Sequence, residues 1–124
     1  MRIASDRTLE ELQIEFNSRF PYLKLEFYSC PHTSGKGTLE QYRLEPDRRI
    51  REVQQKGSEG ELPLEGGLLT GRFEELLQER FGLNAQVFRL SYGTWMQTWA
   101  TDVWTLDEQN QRGEIMGERG VYLT

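Results

Sequence analysis

The chain has 124 residues, which is the usual size of one domain and enough to bury a hydrophobic core without disulfides or metals. It carries 20 acidic and 15 basic side chains, and the net charge of -5 disfavours general binding to nucleic acids or to anionic membranes. We expect no secretory signal, because residues 1–6 contain no apolar stretch, and no membrane-spanning helix, because no apolar run approaches roughly 20 residues. Since the chain also has a single cysteine, Cys30, we expect one cytoplasmic domain over residues 1–124.

The start of the sequence predicts a helix followed by a strand. Thr8 and Glu11 have the spacing of a capping box, and Pro21 prevents a helix from continuing, so a helix is predicted from about residue 8 to residue 18 or 19. Its apolar face carries Leu9, Leu12 and Phe16. Over residues 22–28 apolar and polar side chains alternate, as in a strand with one buried face.

The middle of the sequence gives weaker signals. The proline, serine and glycine residues between positions 30 and 37 predict a surface loop. Between residues 38 and 60 the signals conflict, and we favour a short helix from Asp47 to about Gln55. A short strand over residues 61–65 is expected at a sheet edge, because Pro63 has no N–H group to donate.

A helix and a hairpin are predicted next. Apolar side chains follow helical spacing over residues 70–81, and Gly82 is placed to cap the C-terminal end of that helix. Residues 85–90 and 94–101 are rich in β-branched and aromatic side chains, and the turn sequence Ser91-Tyr92-Gly93 between them predicts a hairpin.

The last predicted element is a short helix. Thr105 and Glu108 form a second capping box, and Gly113 is expected to end the helix. The Thr-Leu-Glu and Thr-Leu-Asp triplets at positions 8, 38 and 105 share only the pattern of helix starts, so no internal repeat is predicted. The sequence predicts an α+β fold with a four-stranded, mainly antiparallel sheet and helices packed on one face.

Three tryptophans lie within ten residues, at positions 95, 99 and 104. On a strand over residues 94–101 the first two would point to one side, and Met96 and Ala100 to the other. If the side of Met96 is the core side, together with Phe88 and Leu90, the tryptophans are exposed, where large aromatic side chains serve as contact anchors. If the sides are reversed, the tryptophans belong to the core. The first interpretation predicts a binding surface formed by Tyr92, Trp95, Gln97, Trp99, Asp102 and Trp104.

Two functional hypotheses follow from these residues. The first is a non-enzymatic interaction module that binds a protein partner or a second copy of itself through the aromatic hairpin. The second is a small enzyme or ligand-binding protein with a pocket between the hairpin and the loop of Cys30 and His32, the single thiol and the single imidazole of the chain. Neither a metal nor a cofactor is predicted, because these two groups would need further ligands or a base close in space. Among the acidic residues we single out Asp102, which follows the tryptophan strand.

Two other patterns, a pair of glycines and a group of basic residues, are explained by the fold without a ligand. Gly66 and Gly71 have the spacing of a phosphate-binding loop, but arginine and phenylalanine follow where such a loop needs lysine and a hydroxyl. The basic residues between positions 43 and 56 alternate with acidic ones, and Arg48 and Glu52 have the spacing of a helical ion pair. A nucleotide hydrolase is therefore rejected, and nucleic-acid binding is not favoured.

Three short runs stand out in the second half: Val87-Phe88-Arg89-Leu90, Gly93-Thr94-Trp95, and Thr101-Asp102-Val103-Trp104-Thr105-Leu106-Asp107-Glu108-Gln109-Asn110-Gln111-Arg112-Gly113. Together with the preceding helix from Thr70, they resemble a small family of uncharacterised bacterial proteins. The resemblance implies a bacterial single-domain α+β protein. It implies no activity, no cofactor and no role for any residue.

Overall fold

The computed structural model describes residues 1–31 and 40–122, with side chains as far as residue 117. The helices in this part of the chain are α1 (Leu9–Arg19), α2 (Ile50–Val53), α3 (Thr70–Phe81) and α4 (Leu106–Tyr122). The strands are β1 (Arg2–Ile3), β2 (Leu23–Tyr28), β3 (Gly60–Glu61), β4 (Asn84–Ser91) and β5 (Thr94–Gln97). Two short 3₁₀ helices cover Glu40–Tyr42 and Trp99–Thr101.

The strands form two antiparallel sheets in the described residues. One sheet has the order β2-β4-β5, and the other pairs β1 with β3. The predicted α+β class and antiparallel pairing are confirmed, but the prediction of one four-stranded sheet was wrong. The expected strand over residues 61–65 is reduced to the two residues of β3, which pair with β1. The sequence did not predict β1, because two residues are too few to show the alternating pattern of a strand.

The core lies between α1, α3 and the inner face of the three-stranded sheet. Leu23, Leu25 and Phe27 point inward from β2, as predicted, and Val87 is paired with Leu25 on the neighbouring strand. Phe16 of α1 and Phe73 of α3 stack between the two helices, with ring centroids 5.2 Å apart. The apolar spacing of the two longest predicted helices therefore identifies their buried faces correctly.

Three of the helix ends predicted from the sequence are found in the structure, and one is not. The Thr8 hydroxyl accepts the Glu11 backbone N–H at 3.3 Å, and Thr105 and Glu108 form the second capping box. Gly82 ends α3 in the left-handed conformation, with φ of 65°. Gly113 does not end α4, which continues to Tyr122.

The fold repeats one order of elements, although the sequence predicted no repeat. Each half contains a short strand, a helix, a longer strand, a 3₁₀ helix and a final helix, and β5 is added in the second half. The halves interleave, because β1 pairs with β3 and β2 pairs with β4. Isolated antiparallel bridges join the helix starts in both halves: Thr8 with Arg49, and Leu69 with Thr105. The two halves therefore share an order of elements and a pattern of antiparallel pairing.

Candidate functional site

The hairpin that carries most of the predicted binding residues is tied to α4 through its turn. Tyr92 and Gly93 adopt positive φ angles of 52° and 77°, which the two-residue turn requires. Their backbone N–H groups donate to the carbonyls of Met116 and Gly117, each at 3.2 Å. The second strand is shorter than predicted, since β5 ends at Gln97 and Trp99 begins a 3₁₀ helix.

Large apolar side chains are exposed along this segment. Tyr92 is 55% exposed, Trp95 36%, and Trp99 43%. Met96, which the exposed-tryptophan interpretation assigned to the core side, is 43% exposed. Neither Trp95 nor Trp99 therefore belongs to the core, and the exposed segment includes Met96 as well.

The third tryptophan has a different environment. Trp104 is half-buried between two guanidinium groups, with Arg89 at 5.2 Å and Arg112 at 5.7 Å from its ring centroid. Trp95 instead lies beside Lys24, whose ammonium group also covers Phe88. Phe88 and Arg89 are consecutive in β4 and point to opposite faces of the sheet, so Trp95 and Trp104 border different faces.

Asp102 lies beside a buried carboxyl group. Glu74 of α3 is only 5% exposed, and its carboxyl group shares a hydrogen bond with that of Asp102. One oxygen of Glu74 also accepts the backbone N–H of Val87 at 2.8 Å and the side-chain amide of Gln86 at 3.2 Å. Val87 lies just beyond the last residue pair of β4 and β5, where Thr98 donates to its carbonyl oxygen and Glu74 accepts its N–H group.

Because two ionised carboxylates cannot donate a hydrogen bond to each other, this contact favours a form in which one of the two carboxyl groups is protonated. Burial raises the pKa of Glu74 well above its ordinary value, and the neighbouring Asp102 raises it further. The hydrogen bond from Val87 acts in the opposite direction. The raised pKa of Glu74 beside a second carboxyl group is a feature that is frequent at functional sites.

This pair borders a cavity of about 260 Å³. The described residues around the cavity are Pro31, Gly71, Glu74, Glu75, Gln78, Glu79, Asn84, Ala85 and Asp102. None of these lining residues is basic. Arg72 lies nearby and binds Glu75 at 3.1 Å and Glu79 at 3.2 Å on the exposed side of α3.

The cavity reaches the two regions that the second hypothesis placed together. Pro31 lies at the end of the Cys30 segment, and Asp102 follows the tryptophan hairpin. Cys30 is a half-buried free thiol, and His32 lies outside the described residues. Glu74 and Asn84 were missed by the sequence analysis. A signal for Glu74 exists, because Thr70, Glu74 and Leu77 follow the spacing of a buried helical face.

The glycine-rich segment before α3 serves the fold. The backbone N–H groups of Thr70 and Gly71 donate to the carbonyls of Trp104 and Asp102, at 2.8 and 2.9 Å. Gly66 allows close approach of Asp107, since a Cβ atom there would lie 2.0 Å from the Asp107 carboxylate. The ordinary-loop interpretation of this segment agrees with these contacts.

The arginine-rich region forms ion pairs with its own neighbours. Arg48 binds Glu52 at 3.3 Å, as its spacing predicted. Arg43 binds Glu40 at 2.7 Å and lies 3.8 Å from Glu26. The predicted helix around these residues is shorter than expected, since α2 covers only Ile50–Val53.

Comparisons with protein-family models, with curated proteins and with solved structures find no match to this chain. The resemblance to a bacterial family therefore stays a prediction. In the described residues, no His, Cys, Asp and Glu side chains form a group of three or more that could hold a metal ion. No helix there has the length and apolar character that crossing a membrane requires. The fold and site define a small α+β domain with an acidic cavity beside an exposed aromatic hairpin.

Proposed function

We propose that this protein is a cytoplasmic interaction module of bacterial origin that binds a second copy of itself through the β5 edge. The observation that carries the proposal is the concentration of exposed apolar side chains beside this strand. Five of the exposed large apolar residues in the described part of the chain lie within residues 92–103: Tyr92, Trp95, Met96, Trp99 and Val103. A cytoplasmic location fits the single free thiol of Cys30.

The β5 edge also has the features that favour strand pairing between molecules. It is the outer strand of the sheet order β2-β4-β5, and its sequence Thr-Trp-Met-Gln contains no charged residue and no proline. Natural proteins use charges and prolines to block pairing at exposed edges. An antiparallel contact between two β5 strands would extend both sheets and bury Trp95 and Met96 against the partner copy.

The test replaces Trp95 by lysine and measures molar mass by light scattering across protein concentrations. We expect the unchanged protein to form dimers in the micromolar range and the Trp95→Lys protein to remain monomeric, because a charge at an edge opposes strand pairing. Ile14→Lys is the matched control, since Ile14 is 59% exposed on α1, and it should dimerise normally. A monomeric unchanged protein at every concentration, or a dimeric Trp95→Lys protein, would refute the proposal.

A second candidate function is the binding of a small molecule. It is favoured by the cavity that runs from Pro31 to Asp102 and borders the pair of Glu74 and Asp102. Pockets with a few convergent polar groups and a perturbed carboxyl group are frequent ligand sites.

A further inference from the structure

The cavity beside α3 presents acceptor oxygens with little positive charge to balance them. Glu74 and Asp102 lie at its inner side, whereas Glu75 and Glu79 are bound by Arg72 at the outer side. An acidic pair in this position attracts a group that supplies both positive charge and hydrogen-bond donors.

Asn84 gives an independent indication of the ligand's chemistry. It lines the cavity and is only 8% exposed, and its side-chain oxygen is buried with no hydrogen-bond partner among the described residues. A buried acceptor without a donor carries a desolvation penalty that a bound donor would remove. The free oxygen of Asn84 and the carboxyl pair therefore require the same kind of partner, one that carries N–H groups.

The repeated order of elements supplies a comparison within the molecule. A second groove of about 310 Å³ lies between α1 and β2, where the first lies between α3 and β4. The five helical residues that line it, Glu10, Gln13, Ile14, Asn17 and Ser18, correspond in order to Gly71, Glu74, Glu75, Gln78 and Glu79. Gln13 stands where the first groove has Glu74, so the buried carboxyl pair distinguishes the two otherwise similar grooves.

We propose that the cavity beside Glu74 and Asp102 binds a small organic cation with several N–H donors, of the amine, amidine or guanidine class. The cation would donate to the carboxyl oxygens and to the Asn84 oxygen, and its charge would replace the proton that the pair holds. The cavity of about 260 Å³ suits a small molecule, because sites for drug-sized ligands span roughly 300–1,000 Å³. This inference rests on the second candidate function and is independent of dimerisation through β5.

Displacement of this proton makes binding depend on pH. The charged and titratable groups around Glu74 come from three elements: Asp102 at the end of the second 3₁₀ helix, Tyr28 of β2, and Arg72, Glu75 and Glu79 of α3. The neighbouring residues of β4, Asn84 and Gln86, are uncharged. A cation that displaces one proton binds more tightly as pH rises, by up to roughly tenfold per pH unit while the pair still holds its proton.

The experiment uses three probes of nearly equal shape and different charge. Benzamidine is a cation, benzamide is neutral and benzoate is an anion, and calorimetric titration of the full chain measures the affinity of each. We expect benzamidine to bind more tightly than the other two, with an affinity that rises as pH rises above the ordinary pKa of 4.5 of a glutamate. This comparison uses the unchanged protein and so does not depend on the folding of any variant.

Two substitutions locate the site. Asp102→Asn should weaken benzamidine binding by about tenfold or more, because a charge-assisted hydrogen bond is lost. Glu10→Gln removes the same charge from the equivalent groove and should leave the affinity unchanged. Equal binding of benzoate and benzamidine would overturn the ligand class while leaving a ligand-binding cavity in place. Absence of binding by all three probes, or unchanged affinity in the Asp102→Asn protein, would overturn the site itself.

Discussion

Glu74 shows how one buried carboxyl group can join a helix, a strand edge and a loop. Its sequence position near the start of α3 suggests an exposed acidic residue that stabilises the helix dipole. In the structure it turns inward, accepts the backbone N–H of Val87 in β4, and lies beside Asp102, which helps to raise its pKa. Burial and the neighbouring Asp102 both raise the pKa of Glu74, so its protonated form is favoured.

The stability of the protein should therefore depend on Glu74 as pH changes. Because burial raises the pKa of Glu74 above its ordinary value of 4.5, its contribution to stability is present at low pH and is lost as pH rises through the raised pKa. We expect the unfolding free energy to fall over this range, with a slope of at most about 1.4 kcal/mol per pH unit from this group. Urea denaturation at a series of pH values measures the slope.

Glu74→Gln tests the assignment of this slope. Glutamine keeps the acceptor for Val87 and can donate to Asp102, but it cannot ionise, so the slope above pH 4.5 should decrease. The Glu10→Gln protein, with an exposed carboxylate removed from α1, should keep the slope of the unchanged protein. An identical slope in the Glu74→Gln protein would show that other groups cause the pH dependence.

At the scale of elements, α4 illustrates a glycine whose role depends on a distant neighbour. Sequence alone favours Gly113 as a helix end, yet the helix continues through it. The reason is close packing, because a Cβ atom at Gly113 would lie 2.8 Å from the Cβ atom of Tyr22 and 3.0 Å from its carbonyl oxygen. The glycine thus allows α4 to approach the segment just before β2.

Because of this contact, we expect replacement of Gly113 by alanine to destabilise the protein, whereas the same replacement in an exposed helix is stabilising. Glycine to alanine within an exposed helix stabilises by about 1 kcal/mol. At Gly113 we expect Gly113→Ala to destabilise by about 1–3 kcal/mol, because the Tyr22 backbone must move. Glu114→Ala, at the exposed neighbouring residue, should change stability by no more than about 0.5 kcal/mol. Thermal unfolding of both proteins provides the comparison, and a stabilised Gly113→Ala protein would contradict the packing explanation.

At the scale of the whole molecule, the two halves depend on each other for their sheets. β1 and β2 both pair with strands of the second half, and Phe16 stacks on Phe73 across the same boundary. Alone, the first half keeps neither of its strand pairings, and the second half keeps only the pairing of β4 with β5. The structure is therefore one cooperative unit built from two similar halves.

Separation of the chain after Gly57 tests this interdependence. Gly57 is exposed and has open space around it, so a break there disturbs few contacts. We expect residues 1–57 and residues 58–124 to lack a cooperative thermal transition when each is alone and to regain one when they are mixed. Circular dichroism during heating measures the transition. A sharp transition in either isolated fragment would show that the halves are independent.

The candidate site was predictable only in part. Asp102 and the segment after β2 were singled out from sequence, and the structure brings both to one cavity. Glu74 and Asn84 were missed, because burial of a polar side chain depends on what packs against it. The pairing of Glu74 with Val87 spans 13 residues and could not be inferred from local spacing.

The sequence by itself determined the features that depend on near neighbours. The capping at Thr8 and Thr105, the left-handed end of α3 at Gly82 and the turn at Tyr92 and Gly93 each involve groups a few residues apart, so local patterns predict them. Tertiary structure decided the division into two sheets, the length of α4 and the raised pKa of Glu74 beside Asp102. These features depend on contacts between segments that are distant in sequence, where packing and burial outweigh local preference.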